Sequence, residues 1–595
     1  IYYISIDANN VPLDAALEKA LPPHHRDLYA KMEADGVIDV KARVFSTGDA
    51  NTVGPISYLA DVACRSKSLK LEQMPVTLSN VVADAAVSPT SVTIRSLDGY
   101  YEQSRVTLSG GMRMDADLQS RRYYVEVTAG DFPFNDTTIG LLPPSLARQI
   151  AAFRPQGNGN VHVKYEKADG NEPPVYTGEV ECLGVSVNHQ RLPYPLRDVR
   201  GTISLTTNGL VLKDVSAAPV DPCQPKDLAV VHINGSASLT GGSLTGAAFS
   251  LTARDMLFTK ELGEAMPEGI ARAYRDLSPH GPVSLDLPKL VISTTAQDGM
   301  VAEFAGTADL QGNDLRISGT TVEVAGEVKI EGKYGVKTGF SRGHVEFAGE
   351  RLVIKDRTIA NVTAEAVYDP NMRRWSTDDL FGDCYRGRVL GSLHVGRAEN
   401  GDIEYLLQAA LHRVDLQAFL QAGKPAATAD ASSSSGTLNA VLSLGGCAGN
   451  TTSRRGLCQV DIENIRVGKV SPLSNLLSVL SLNEPTDYTF ERMQIDSYLK
   501  QDTMLIRKLD MSGKNVAFTG SGTVSLPGGE LNLVLTARGQ RLAAAEPSVI
   551  QALTEGLGGA VVRMEVTGKA SNPHVETRTL PVIEDSLKIL GTPDG

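Results

Sequence analysis

The sequence predicts a mainly β fold in which antiparallel strands are gathered in blocks and each block is opened by one short helix. Three observations predict it. A stretch beginning with an apolar residue and a proline recurs at 21–44 (LPPHHRDLYAKMEADGVIDVKARV), 142–165 (LPPSLARQIAAFRPQGNGNVHVKY) and 266–289 (MPEGIARAYRDLSPHGPVSLDLPK). Its prolines Pro23, Pro144 and Pro267 lie 121 and 123 residues apart (144 less 23, 267 less 144). Apolar residues alternate with polar ones through many short runs joined by glycine turns, as one-sided strands do. Helical spacing returns once per block rather than once per strand, which excludes a βαβ architecture.

In each recurrence the proline suits the first helical turn, where its missing donor costs nothing. The predicted helices cover 23–33, 144–153 and 267–277, at equivalent positions in successive blocks. In the middle copy Leu146, Ile150 and Phe153 share a face, Pro155 and Gly157 stop the helix, and Val161, Val163 and Tyr165 alternate with polar neighbours as a strand. Upstream, RVTLSG, MRMDADL and YYVEVTAGDF place Val106, Leu108, Tyr123, Val125 and Val127 along one side of a sheet. Downstream, the Leu205 region and Leu212 continue the pattern. MPVTLSNVVADAAVSPTSVTIRSLDG and LPYPLRDVRGTISLTTNGLVLKDVSA match at an offset of 118 (193 less 75), close to the same period.

Around Trp375 the chain turns more polar. Asp415 is placed to cap a helix LQAFLQ, and serines 432–435 read as a flexible excursion. SPLSNLLSVLSL is a capped apolar helix with a stripe of Leu473, Leu476, Leu477 and Leu480. Clean alternation follows in Val516, Phe518, Val524, Leu526, Leu531, Leu533 and Leu535, then a short helix at 547–557 and a last strand. The expected blocks are 1–141, 142–265, 266–410 and 411–595.

At 595 residues the chain exceeds a single growing core. The formal charge of −12 and the lack of any basic block or recognition motif argue against nucleic acid as a partner. No run of 18 apolar residues is present to span a membrane. Cys447 and Cys458 flank a polar loop and either close it in an oxidising compartment or stay as thiols. GxSxG, a phosphate loop, HExxH and CxxC are all missing, and the adjacent His24 and His25 make a poor metal pair. The densest polar cluster, Asp378, Asp379 and Asp383 with Arg373 and Arg374, reads first as a solvated loop. NDT, NVT and NTT at Asn135, Asn361 and Asn450 match the glycosylation pattern but occur by chance in a chain this long. No enzyme activity, cofactor or metal is expected. One-sided strands without long helices leave two solutions: sheets packed face to face, or an apolar face that lines a groove for an apolar ligand.

The last 140 residues or so carry a resemblance. The entry strand at Gly456–Gly468, the helix at Leu473–Leu480, the strand pair ending in Gly520-Ser521-Gly522-Thr523-Val524, the strand Leu531–Leu535 and the ending Thr567-Gly568 with Pro573-His574-Val575 resemble the C-terminal region of AsmA-like proteins of the bacterial envelope. Ahead of Gln494-Ile495-Asp496 the family reads more like F-D-x-L, where this chain has Thr489 to Met493. The resemblance implies an elongated, curved antiparallel sheet forming a repeating β-groove that binds lipid acyl chains and carries phospholipids between inner and outer membranes. It also implies a periplasmic location, an inner-membrane anchor ahead of Ile1, and membranes or envelope proteins at the ends. The alternative is a non-enzymatic scaffold or assembly factor for outer-membrane components. The candidate groove lining is Val106, Leu108, Val125, Val161, Val163, Leu205, Leu212, Val516, Phe518, Val524, Leu531, Leu533 and Leu535.

Overall fold

The computed structural model describes residues 3–579 apart from 22–25, 27–28, 30–31, 47–55, 72–76, 115–120, 141, 143, 169–173, 190–191, 221–229, 241–242, 267, 318–319, 399–400, 423–433, 467–488, 514–515, 527, 540–560 and 570–571. The fold is mainly β, with 29 antiparallel strands and short helices between blocks of them, as the sequence predicts. By internal contacts the chain divides into two units, residues 1–272 with 283–306 and 335–337, and residues 273–282 with 307–334 and 338–595.

The first unit holds β1 (Tyr3–Pro12), β2 (Met32–Ser46), β3 (Ile56–Leu71), β4 (Thr77–Val87), β5 (Ser91–Tyr101), β6 (Ser104–Met114), β7 (Arg121–Phe134), β8 (Gly157–Lys167), β9 (Val175–His189), β10 (Leu192–Thr206), β11 (Gly209–Pro219), β12 (Val230–Thr240) and β13 (Ser243–Leu257). From β1 through β13 successive strands pair antiparallel, so odd-numbered strands all run one way. Helix α1 (Ala15–Ala20) follows β1, α2 (Asp136–Ile139) and α3 (Pro144–Ala151) follow β7, and α4 (Lys260–Ala265) follows β13. All of these leave odd strands and therefore the same rim of the sheet. The helix predicted at 144–153 is α3, and the one predicted at 267–277 is α5 (Glu268–Leu277). The one predicted at 23–33 lies mostly outside the described residues.

A corner repeats where the chain leaves the sheet. Asn10, Asp131 and Asp255 stand in the left-handed region at φ 54°, 53° and 50°, which short polar side chains tolerate best after glycine. Their backbone N–H groups donate to the side chains of Asp39 (2.7 Å), Asn160 (3.0 Å) and Ser284 (3.2 Å), each on the strand after the helix. Four residues on, Asp14, Asn135 and Thr259 cap the next helix, 121 and 124 residues apart (135 less 14, 259 less 135). Asn135 accepts from the Thr138 N–H while the Thr138 hydroxyl accepts from the Asn135 N–H, a capping box. Asn135 of the NDT triplet thus has a structural role as a helix cap.

Strands β14 (Pro282–Thr295), β15 (Gly299–Ile317) and β16 (Thr320–Gly335) lead into the second unit. That unit continues with β17 (Gly339–Ile354), β18 (Arg357–Asp369), β19 (Arg374–Cys384), β20 (Gly387–Arg397), β21 (Ile403–Asp415), helix α6 (Leu416–Gln421), β22 (Ser435–Cys447), β23 (Asn450–Arg466), β24 (Thr489–Lys500), β25 (Thr503–Gly513), β26 (Val516–Ser525), β27 (Glu530–Gly539), β28 (Val561–Lys569) and β29 (Asn572–Thr579). From β17 onward the strands pair with their sequence neighbours. Asp415 caps α6 as expected, accepting from the Ala418 N–H at 3.0 Å. The helices expected at 473–480 and 547–557, Ser432, Ser433 and Cys223 lie outside the described residues, whereas Ser434 is buried and Ser435 opens β22, so these two are ordered rather than part of a flexible excursion.

Of the two alternatives for Cys447 and Cys458, the structure takes the free thiols. Both are free thiols, and Cys458 pairs with Leu442, five positions along β22 from Cys447. Five strand residues separate the two by about 17 Å, far beyond disulfide reach. Burial raises the thiol pKa values of Cys64, Cys384 and Cys458, and pushes Cys182 up to about 11. Iodoacetamide at pH 7.5 should therefore leave Cys182 unmodified in the native protein and label it fully in urea. Its thiolate fraction is lowered about a hundredfold. Intact-mass spectra with peptide mapping would read this, and rapid native labelling of Cys182 would contradict it.

Candidate functional site

Register makes one face of the first unit continuously apolar. A single row of paired positions crosses all thirteen strands: Val11, Ile38, Cys64, Ala83, Leu97, Leu108, Val127, Val163, Gly178, Leu205, Leu210, Ala237 and Ala247. Beside it runs Gly99, Val106, Ala129, Val161, Val180, Ile203, Leu212, Gly235 and Phe249. Neither row contains a polar or charged side chain. Val125 stands between Gly110 and Tyr165 in a third row on the same face. The first row spans about 58 Å at the spacing of paired strands. One leaflet's acyl region is about 15 Å, half of a ~30 Å hydrocarbon core, so the row offers room for several chains end to end.

The opposite face is mixed, with Leu59, Val82, Tyr124 and Val211 exposed on it and a polar row between Val82 and Val211. Asp98, Thr107, Thr128, His162, Glu179 and Ser204 form a paired row there. Arg95 bridges Asp61 and Asp84, and its hydrogen bond holds the Asp61 carboxyl below the usual carboxylate range. Glu126 receives both His162 (3.2 Å) and Lys164 (3.1 Å). Water thus solvates one face, and the other calls for cover.

The second unit repeats the arrangement. Gly382, Val389, Leu411, Ala440, Val460, Ile495, Leu509, Gly520, Leu535 and Met564 make one row. Leu393, Leu407, Leu444, Gly456, Leu499, Met504, Val524 and Leu531 make another, and Leu533 lies between them. Phe518 packs at the end of this face with Phe490, Met511 and Met564 in a fully buried cluster. Asp461 is on the opposite face, and its hydrogen bond to Arg492 lowers its pKa.

Protein cover over the apolar faces is partial. Among the described residues of each unit, the close backbone contacts between strands are those of hydrogen-bonded neighbours. Short helices touch the sheet at its rim: α4 reaches β10, and α6 packs on β21 and β22. Leu108, Val127, Val163, Leu205 and Leu212 are consequently only half-buried. Each buried CH₂ contributes roughly 0.8 kcal/mol, and at these positions a minor part of that remains to be gained.

The sequence-predicted residues thus fall into two groups by unit. Val106, Leu108, Val125, Val161, Val163, Leu205 and Leu212 share the apolar face of the first. Phe518, Val524, Leu531, Leu533 and Leu535 share that of the second, with Phe518 0% and Leu535 4% exposed. Val516 opens β26, its side chain outside the described set. The acidic cluster does not converge. Asp378 and Asp379 are exposed, Asp378 faces His394 at 3.6 Å, and Asp383 accepts from Asn361 at 2.9 Å. No grouping of three metal-ligating side chains occurs among the described residues. No described helix is long and apolar enough to cross a membrane.

These features define a broad class: open antiparallel β-sheets with one apolar face and short helices between strand blocks, consistent with β-groove architecture. No family model, curated protein or solved structure matches the chain.

Proposed function

We propose that the apolar face of each unit is a lipid-binding surface, and that the protein carries phospholipids between the inner and outer membranes of a bacterial envelope without catalysing a reaction on them. The single observation behind this is the unbroken apolar row through thirteen strands, with residues along it only half-buried. Acyl chains suit such a face because hydrocarbon gains free energy per CH₂ buried and requires no fixed polar partner. The C-terminal resemblance to AsmA-like proteins supports the same reading and the periplasm as its setting.

A second reading, a scaffold for envelope assembly, draws on the other face of the second unit. There Leu390, Leu406, Val441, Tyr498 and Leu505 are each more than 40% exposed, a surface suited to a protein partner.

Organic extraction of the protein purified without detergent, followed by mass spectrometry, tests the leading reading. More than one phospholipid per chain is expected. A lipid-free protein that also takes up none from vesicles would overturn it.

A further inference from the structure

Along single strands of each unit the apolar face changes character toward the rim opposite the helices. On β8 it reads Val161, Val163, Tyr165 and Lys167, and Lys167 ends the strand. In register beside them Val125 pairs with Tyr165 and Tyr123 with Lys167, while Tyr165 pairs on its other side with Tyr176. The Tyr123 and Tyr165 rings stack at 5.8 Å, centroid to centroid. On β20 the apolar face of the second unit reads Leu393, Val395 and Arg397, and Arg397 ends that strand. Val395 pairs with Trp375 on one side and Tyr405 on the other. The Trp375 ring lies 5.5 Å from Phe340 and 5.3 Å from Tyr368. The order hydrocarbon, ring, cation thus occurs in both units, each time leading away from the rim that the helices leave.

The helix side of each face is packed shut. In the first unit Val81, Val185 and Ala253 are buried there, and Val185 clusters with Cys182, Val199, Val215 and Ala217, against which Phe134 packs. In the second, Val414 and Leu416, the first residue of α6, are buried in a cluster with Cys384 and Leu438. At the opposite rim Val92, Met112, Tyr123, Tyr165 and Lys167 of one unit and Trp375, Val395 and Tyr405 of the other are half-buried, and Arg397 is exposed. An acyl chain crossing either face therefore ends against packed hydrocarbon at one rim and meets rings, then a cation, at the other. Tyrosine and tryptophan suit the level where hydrocarbon gives way to headgroup, and lysine and arginine lay their stems on apolar surface while carrying charge out to water. From Val161 to Lys167 the strand runs about 20 Å, enough for the ~15 Å of one leaflet's chains with the phosphate beyond them.

We infer that phospholipids cross the apolar face of each unit in one orientation, with acyl ends toward the helix-bearing rim and phosphates at the opposite rim. Lys167 in the first unit and Arg397 in the second pair with those phosphates, and the rings of Tyr123, Tyr165, Trp375 and Tyr405 lie at the level of the glycerol. The inference rests on the lipid-binding reading and adds to it a direction and one phosphate contact in each unit. Lipids so oriented lie side by side along the apolar rows.

Trp375 is the only tryptophan of the chain, so its emission reports on the rim of the second unit alone. The probes are phosphatidylcholines carrying a 6,7-dibromostearoyl or an 11,12-dibromostearoyl chain. At equal occupancy the 6,7-dibromo lipid should quench Trp375 the more strongly, because its bromines lie nearer the glycerol. Unbrominated dioleoyl phosphatidylcholine and dioleoylglycerol then serve as competitors. R397Q should weaken the phospholipid about fivefold, the yield of one exposed charge pair, and leave the diacylglycerol unchanged, while R397K should retain the wild-type ratio. In the first unit, Y123W in a W375F background should show the same order of quenching. F132W in that background should show the reverse, since Phe132 lies on the helix side of the face, paired with Gly159. Equal or stronger quenching of Trp375 by the 11,12-dibromo lipid in the unmodified protein overturns the orientation, whether or not the variants fold. Equal loss of both competitors in a folded R397Q overturns the phosphate contact. Lipid found by extraction with no quenching of Trp375 by either probe overturns the orientation while leaving the wider reading intact. Absence of lipid by both measures refutes the wider reading itself.

Discussion

Val163→Asp should empty the first unit of lipid while leaving it folded. Val163 sits mid-row, paired with Val127 on one side and Gly178 on the other, and is half-buried. In the lipid-free protein an aspartate there still reaches water, so the folded state loses one modest apolar contact. Once an acyl chain lies across the row the carboxylate is pressed against hydrocarbon, at a cost of about 3 kcal/mol, or roughly a hundredfold in affinity. Ser236→Asp is the control, on the mixed face between Val211 and Ala248; it should change nothing. Circular dichroism and bound phospholipid per chain are the measurements. An unfolded Val163→Asp would mark the position as ordinary core, and unchanged lipid content in a folded variant would remove the row from the binding surface.

That experiment depends on knowing which residues share a face, and this was only partly legible in the sequence. Where strands run without interruption, alternation suffices: Val161, Val163 and Tyr165 were placed together from spacing alone. It fails at the bulges. Leu212 and Val215 are three apart yet share a face, because Asp214 at φ 50° takes up one residue between them. Ala129 and Phe132 do the same around Asp131. A slip of one residue turns every later side chain to the other face, so a reading by parity loses phase at each such corner. The corners were nonetheless written in the chain. AxxΦ followed by a capping residue recurs as Ala8 to Asp14, Ala129 to Asn135 and Ala253 to Thr259, beside the proline repeat that was found.

Around Trp375 the same limit hid the bulge in β19. Asp378 and Asp379 drew attention as a polar cluster, whereas the bulge that exposes them is what buries Thr377. Pairing partners far apart in sequence, such as Leu97 with Leu108 and Val163 with Gly178, carry no local signal. Only register shows that thirteen separate apolar residues form one row. Of the two readings of the cysteine loop, register excludes closure and leaves the thiols, since closeness in sequence across a hairpin is not closeness in space.

Phe518→Ala should produce the largest loss of stability among single truncations on the apolar face of the second unit. Phe518 is 0% exposed, pairs with Met511 and Ala537, and its ring lies 6.1 Å from that of Phe490. Met564, also 0% exposed, belongs to the same cluster. Removing a phenyl group from so closed a site leaves a cavity as well as lost transfer energy, about 3–5 kcal/mol together. Val524, in the same strand and on the same face, is only half-buried, and Val524→Ala should cost about 1 kcal/mol. The two variants should part the other way in binding. Val524→Ala removes a contact with the acyl chain and lowers lipid content, whereas Phe518→Ala opens a cavity in the sealed end and leaves lipid per folded molecule unchanged. Hydrogen exchange of the β25–β27 amides, read with lipid content, separates the two effects. Equal destabilisation by both substitutions would mean that the face is uniformly packed core, and the trough reading would fall with it.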